Sequence, residues 1–140
     1  DLTRLAIGSL VDGCLGEGIA ADVAAHGAHS AEDPTIRGAL EMIARDEAGH
    51  AELGWDVLAW CLTEGGPDVA RAVAGRVARL GREVEPRLPD LPGFDAAILA
   101  RHGIIDQRTL GDLARTRIAQ VQDRARRLLA EPIPAVASAA

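Results

Sequence analysis

Residues 32–66 read EDPTIRGALEMIARDEAGHAELGWDVLAWCLTEGG, and the punctuation of this stretch decides the fold. Asp33 is a good N-cap, and Pro34 suits the first helical position, where no backbone N–H is needed. Apolar residues then recur at helical spacing to about Thr63, until Gly65 and Gly66 end the pattern. Upstream, Leu2 to about Ala31 holds no proline and keeps a compatible apolar period, weakened by Gly8, Gly13, Gly16, Gly18 and Gly27. Two such helices joined by a tight turn near residue 32 make a helical hairpin.

The remainder continues in the same style. Pro67 and Asp68 open a third helix with the stripe Val69, Val73, Val77, Leu80 and Val84, ended by Pro86. Pro86, Pro89, Pro92 and Gly93 stiffen a connector over 86–94, and 95–102 reads as a short helix. The last helix is expected over 106–130, with the stripe Leu110, Ala114, Ile118, Val121, Ala125 and Leu128. From Pro132 an Ala/Pro-rich stretch reads as a flexible tail. The expectation is one helical domain over 1–131, made of a hairpin over 1–64 and accessory helices over 67–131, with a tail over 132–140.

Composition points the same way. The 140 residues include 27 alanines, one Phe, two Trp and neither Lys nor Tyr, a supply that favours an all-α, up-down bundle over strands. With 48% hydrophobic residues there is enough apolar material for a core. No apolar run approaches the ~18 residues of a membrane span and no signal-peptide pattern is visible, so the expectation is a cytoplasmic protein with no membrane partner. A net charge of −6 disfavours nucleic acid as a partner. Arg115, Arg117, Arg124, Arg126 and Arg127 form one locally basic stretch, read as a solvated helix face. Cys14 and Cys61 are too few for a metal finger or disulfide scaffold and read as small buried hydrophobes. The chain is already inside a periodic pattern at Leu2, which suggests a piece of something longer.

Two residues break the logic of the second helix. Its apolar stripe at about 100° per residue is Ile36, Leu40, Ile43, Gly54, Leu58 and Cys61, and Glu47 and His50 fall inside it. Most of its other charges, Arg37, Glu41, Arg45, Glu52 and Asp56, lie on or toward the opposite face. The first helix repeats the oddity, with Glu17 among Ala6, Leu10, Gly13, Ala20, Ala21, Ala24 and Ala28, while Asp22 and His26 turn away from that stripe. In an antiparallel hairpin turning near residue 32, positions at one level have numbers that total about 64, and Glu17 and Glu47 satisfy this. One carboxylate from each helix is therefore expected to face the core at the same height.

Two such carboxylates repel and lose hydration unless one is protonated or a cation lies between them. No lysine exists to do this; Arg117 and Arg124 of the last helix, or a protonated His50, are the internal candidates. A metal ion is the other solution, because Glu47 and His50, three residues apart, offer an oxygen and a nitrogen ligand on one helix face. Iron, manganese or zinc suits that donor set, and calcium suits it poorly. With nine Glu and four His in the chain, Glu-x-x-His alone carries little weight; its place in the stripe, level with a second acid, carries more. Position 46 is Asp, so no His-Glu-x-x-His zinc-protease motif is present. Trp55 and Trp60 read as packing anchors, and His26 and His29 as solvated.

The stretches Gly13-Cys14-Leu15-Gly16-Glu17-Gly18-Ile19-Ala20-Ala21 and Ile43-Ala44-Arg45-Asp46-Glu47-Ala48-Gly49-His50-Ala51-Glu52-Leu53-Gly54-Trp55 together resemble one half of a ferritin-like protein. That superfamily includes ferritins, rubrerythrins and the small subunits of ribonucleotide reductases. In it a four-helix bundle holds two irons through a Glu from each of two helices and a Glu-x-x-His from each of the other two. The resemblance, which covers residues 1–64, implies that Glu17 is the lone helical ligand and that Glu47 and His50 are the paired ligands. It also implies that Asp46 is the nearby acid that accepts a hydrogen bond from a ligating His. Di-iron oxidase or ferroxidase-type chemistry with dioxygen or peroxide would follow.

The rest of the chain departs from that pattern. It offers only Glu64, Glu83, Glu85 and Glu131, near helix ends or loops, and His102 in no pairing with a Glu. Three arrangements would reconcile this: an N-terminal helix pair missing from the chain, a second copy that pools its half-site about a two-fold axis, or a mononuclear centre on Glu17, Glu47 and His50. A different class of reading is a non-catalytic helical assembly module whose Glu/His network binds no metal.

Overall fold

The computed structural model describes residues 1–83, 86–89 and 93–131, apart from the side chain of Glu83. Its described residues are helical with no strand: α1 (Leu2–Gly8), a π-helical stretch (Ser9–Glu17), α2 (Gly18–Ser30), α3 (Pro34–Val77), α4 (Leu80–Glu83), α5 (Ala96–Arg101) and α6 (Gln107–Ala130). The all-α expectation holds. Val84, Glu85, Pro92 and the tail expected over 132–140 lie outside the described residues.

The hairpin forms for the reasons legible at its turn. Asp33 accepts hydrogen bonds from the backbone N–H groups of Thr35 and Ile36 at 2.7 and 3.2 Å, and Pro34 follows as the first helical residue. Arg37 closes the turn by donating from Nη2 to the Ala31 carbonyl at 2.8 Å. The break expected at Gly65 and Gly66 is a kink: Gly66 has φ 60° and ψ −151°, outside the reach of most L residues, and Pro67 starts the helix again. Beyond it Val69, Val73, Val77 and Leu80 are buried as the stripe required.

Between α1 and α2 the chain is helical but wound more loosely, in a π-helical stretch over Ser9–Glu17, called here the π-turn. The looser winding shifts the buried seam. Cys14, Leu15, Gly18 and Ile19 are buried in place of the expected Gly13 and Ala20, which are half-buried along with Glu17. The hairpin helices cross at Gly13 and Gly54, where a Cβ on Gly54 would stand 2.9 Å from the Cys14 backbone nitrogen and 3.0 Å from the Gly13 Cα. Leu10, Leu15, Leu58 and Cys61 fill the core around this crossing.

The accessory helices pack on one flank of the hairpin. Along α6, Leu110, Ala114, Ile118, Val121 and Ala125 are buried, and two ion pairs fasten the polar edge. Arg117 makes a two-pronged pair with Asp22 at 2.8 and 2.5 Å, and Arg124 does the same with Glu52 at 2.6 and 2.8 Å while lying 4.4 Å over the Trp55 ring. Asp22 therefore faces α6 instead of solvent. Trp55 is the packing anchor expected of it, but Trp60 is 52% exposed.

The crossing makes a specific prediction. Gly54→Ala forces the two backbones apart and lowers stability by about 1–3 kcal/mol. Gly49→Ala, on the same helix where a Cβ meets nothing within 4 Å, raises stability by up to about 1 kcal/mol. Chemical denaturation followed by circular dichroism measures both.

Candidate metal centre

Glu17 ends the π-turn, and Glu47 and His50 lie one helical turn apart on α3. One ligand atom from each of the three comes within 4.8 Å of the others. The levels inferred from the turn position thus bring the two acids together. First-row metals hold oxygen and nitrogen ligands at about 2.0–2.2 Å, so atoms sharing one ion stand at most ~4.4 Å apart. The observed cluster needs only a small side-chain adjustment to close around a cation.

The three groups also perturb one another's ionisation. A hydrogen bond with Glu47, together with some burial and the repulsion of its charge, raises the Glu17 carboxyl above its ordinary value. Glu47 moves down, first because His50 donates to it and then because Glu17 does. His50 Nδ1–H donates to Glu47 Oε2 at 3.0 Å, and this bond is the main reason the imidazole is raised above its ordinary 6.5. In the neutral tautomer that makes this bond, Nε2 carries the free lone pair.

Three expectations are corrected. The site does not lie inside the core: Glu17 is half-buried, the Glu47 side chain is 27% exposed and that of His50 is 62% exposed. No charged residue is buried among the described residues, and Ile43, expected beside the ligands in the stripe, is 45% exposed. The reason is the count of layers, since α6 covers only one flank of the hairpin and the flank carrying His50 is open. Secondly, Arg117 and Arg124 do not reach the carboxylates, because Asp22 and Glu52 engage them on the other side. Thirdly, Asp46 is exposed and acts on His50 through its charge alone, while the hydrogen bond to the imidazole comes from Glu47.

The remaining residues read as expected. Cys14 is 1% exposed with its thiol pushed up to about 12 by burial, and Cys61 is raised for the same reason, so both are inert packing groups. His26 and His29 are exposed. Of the spare ligands, Glu64 and Glu131 are exposed, and His102 Nδ1 bonds the Ile98 carbonyl of its own helix; none joins the cluster. Sequence reasoning missed the Arg117–Asp22 and Arg124–Glu52 pairs, whose partners stand 95 and 72 positions apart and carry no local signal.

Two outcomes are expected of this geometry. Glu17→Gln removes one of two opposed charges, so the metal-free protein melts no lower than wild type while affinity for Mn²⁺ or Zn²⁺ falls at least about tenfold. Scanning calorimetry and metal titration measure the two halves. Because His50 is raised above 6.5, protons compete for it already at higher pH than for an ordinary histidine. Affinity therefore declines as pH falls through a value above 6.5, which titrations at a series of pH values would show.

Comparison with protein-family models, with curated proteins and with solved structures finds no match for this chain.

Proposed function

We propose that Glu17, Glu47 and His50 hold a redox-active first-row metal, iron foremost, in a ferritin-like half-bundle. The observation that carries this reading is the convergence of two carboxylates and an imidazole, from two separate helices, within 4.8 Å. The donor set is two oxygens and one nitrogen, which fits iron, manganese or zinc. Two carboxylate charges would be neutralised by one divalent ion, which relieves the repulsion between Glu17 and Glu47. Bound iron would supply electron transfer to dioxygen or peroxide, the chemistry of an oxidase or ferroxidase.

The chain's own part is positional. The π-turn sets Glu17 at the edge of the seam, and π-turns in helices recur at functional sites. The Gly13–Gly54 crossing brings the two backbones close enough for short carboxylate side chains to meet. Glu47 orients the His50 ring through its hydrogen bond. Three ligands leave coordination positions open, so a two-metal centre needs further donors from a helix pair or from a second copy of the chain, whereas the mononuclear form needs only water.

One observation favours a second reading, a metal-free assembly module. The Glu17–Glu47–His50 network satisfies itself by sharing protons, and no buried side-chain polar atom among the described residues lacks a partner. The two readings separate cleanly in anaerobically prepared protein. Metal binding predicts about one equivalent of Fe²⁺ or Mn²⁺ per chain, lost in Glu47→Ala with helicity unchanged; no uptake by wild type would leave the assembly module.

A further inference from the structure

Asp22 stands five residues beyond Glu17 on α2, and Glu52 stands five residues beyond Glu47 on α3. Five residues turn an α-helix by about 140° and advance it by about 7.5 Å, so each acid is turned away from the ligand cluster. Because the two helices are antiparallel, Asp22 lies on the turn side of the cluster's level and Glu52 equally far on the other side. The arginines that engage them, Arg117 and Arg124, are seven residues apart on α6. That is close to two full turns, so both leave one face of α6, about 10.5 Å apart along its axis. The level at which Glu17 meets Glu47 falls midway between the two clasps.

Each clasp is two-pronged and held by a further contact. Arg117 crosses α2 at Gly18, the residue after Glu17, where a Cβ would stand 3.0 Å from the arginine Cδ and 3.2 Å from its Nε. Arg124 lies over the Trp55 ring while it bonds both oxygens of Glu52. The Asp22 and Arg117 side chains are each 28% exposed, so water and salt weaken their pair less than they weaken the open Asp68–Arg71 and Asp112–Arg115 pairs. Between the clasps, a cavity of about 160 Å³ lies between α6 and the ligand-bearing helices, with Gly18, Ala21, Ala48 and Ala51 in its wall. At the cluster's level α6 therefore contributes spacing more than packing. Sliding α2 along α3 would change the Glu17–Glu47 separation and would equally change the Asp22–Glu52 separation, which the fixed spacing of the two arginines opposes.

We propose that α6 is a strut across the back of the metal site, and that Arg117 and Arg124 are positioning residues that hold Glu17 and Glu47 at metal-sharing distance. The inference rests on the metal-binding reading above and adds to it a remote control of affinity. Docking of α6 and metal binding fix the same coordinate, so each strengthens the other by the same factor. Charge alone predicts the opposite sign: replacing both arginines leaves Asp22 and Glu52 unbalanced, and a more negative surrounding favours a divalent ion. Mn²⁺ titration of the full chain, well below its melting temperature and with helicity followed by circular dichroism, separates the two. The expected result is that Arg117→Gln/Arg124→Gln stays helical and binds Mn²⁺ at least about fivefold more weakly than wild type. Hydrogen–deuterium exchange of the unaltered chain reads the reciprocal effect, and decides the matter alone if the double variant loses helicity. Mn²⁺ should slow the amides of α6 more than those of α3 beyond the Gly66 kink, and should slow neither in Glu47→Ala. Unchanged or tighter binding by a helical double variant overturns the strut and leaves the metal-binding reading standing, as does equal slowing of both segments. No Mn²⁺ uptake by wild type overturns both.

Discussion

Two carboxyl groups, Glu17 and Glu47, meet across the seam of a helical hairpin, and much of this structure is arranged around tolerating that contact. Opposed acids are a liability in a helix pair otherwise lined by alanine, glycine and leucine. The fold answers by leaving them at the edge of the seam, where water still reaches, and by setting His50 beside Glu47 as a hydrogen-bond donor. The same response leaves the ligand cluster accessible. A purely structural seam would have placed apolar residues here, as the core does with Leu10 and Leu58.

The two flanks of the hairpin are treated differently. On one, α6 brings a narrow stripe of small apolar residues and two arginines that pair with Asp22 and Glu52. Those arginines are occupied, so the negative charge at Glu17 and Glu47 is left for something else to balance. On the other flank, exposed apolar side chains surround an exposed imidazole. No helix among the described residues is long and apolar enough to cross a membrane.

Much of this was legible in the sequence, and the misses have physical causes. Asp33 with Pro34 marked a helix start because capping is local chemistry, and Gly66 with Pro67 marked the kink for the same reason. The level of Glu17 against Glu47 followed from where the turn lies. Burial was harder, because a periodic stripe says which face is apolar but not whether a neighbour covers it. Ile43, His50 and Trp60 therefore read as interior and stand exposed. The π-turn was invisible because it changes the winding of the helix and not the composition, although Gly13 and Gly16 inside it mark where the helix bends most easily. The arginine pairs of α6 depend on tertiary approach alone and left no periodic trace.

The most direct test of the central claim is a crystal structure of the protein grown with Mn²⁺, with the ion located by its anomalous scattering. The account predicts a peak bonded to carboxylate oxygens of Glu17 and Glu47 and to one nitrogen of His50, at about 2.0–2.2 Å. Mn²⁺ found elsewhere, with the Glu17–Glu47 contact and the His50–Glu47 hydrogen bond unchanged, would contradict it.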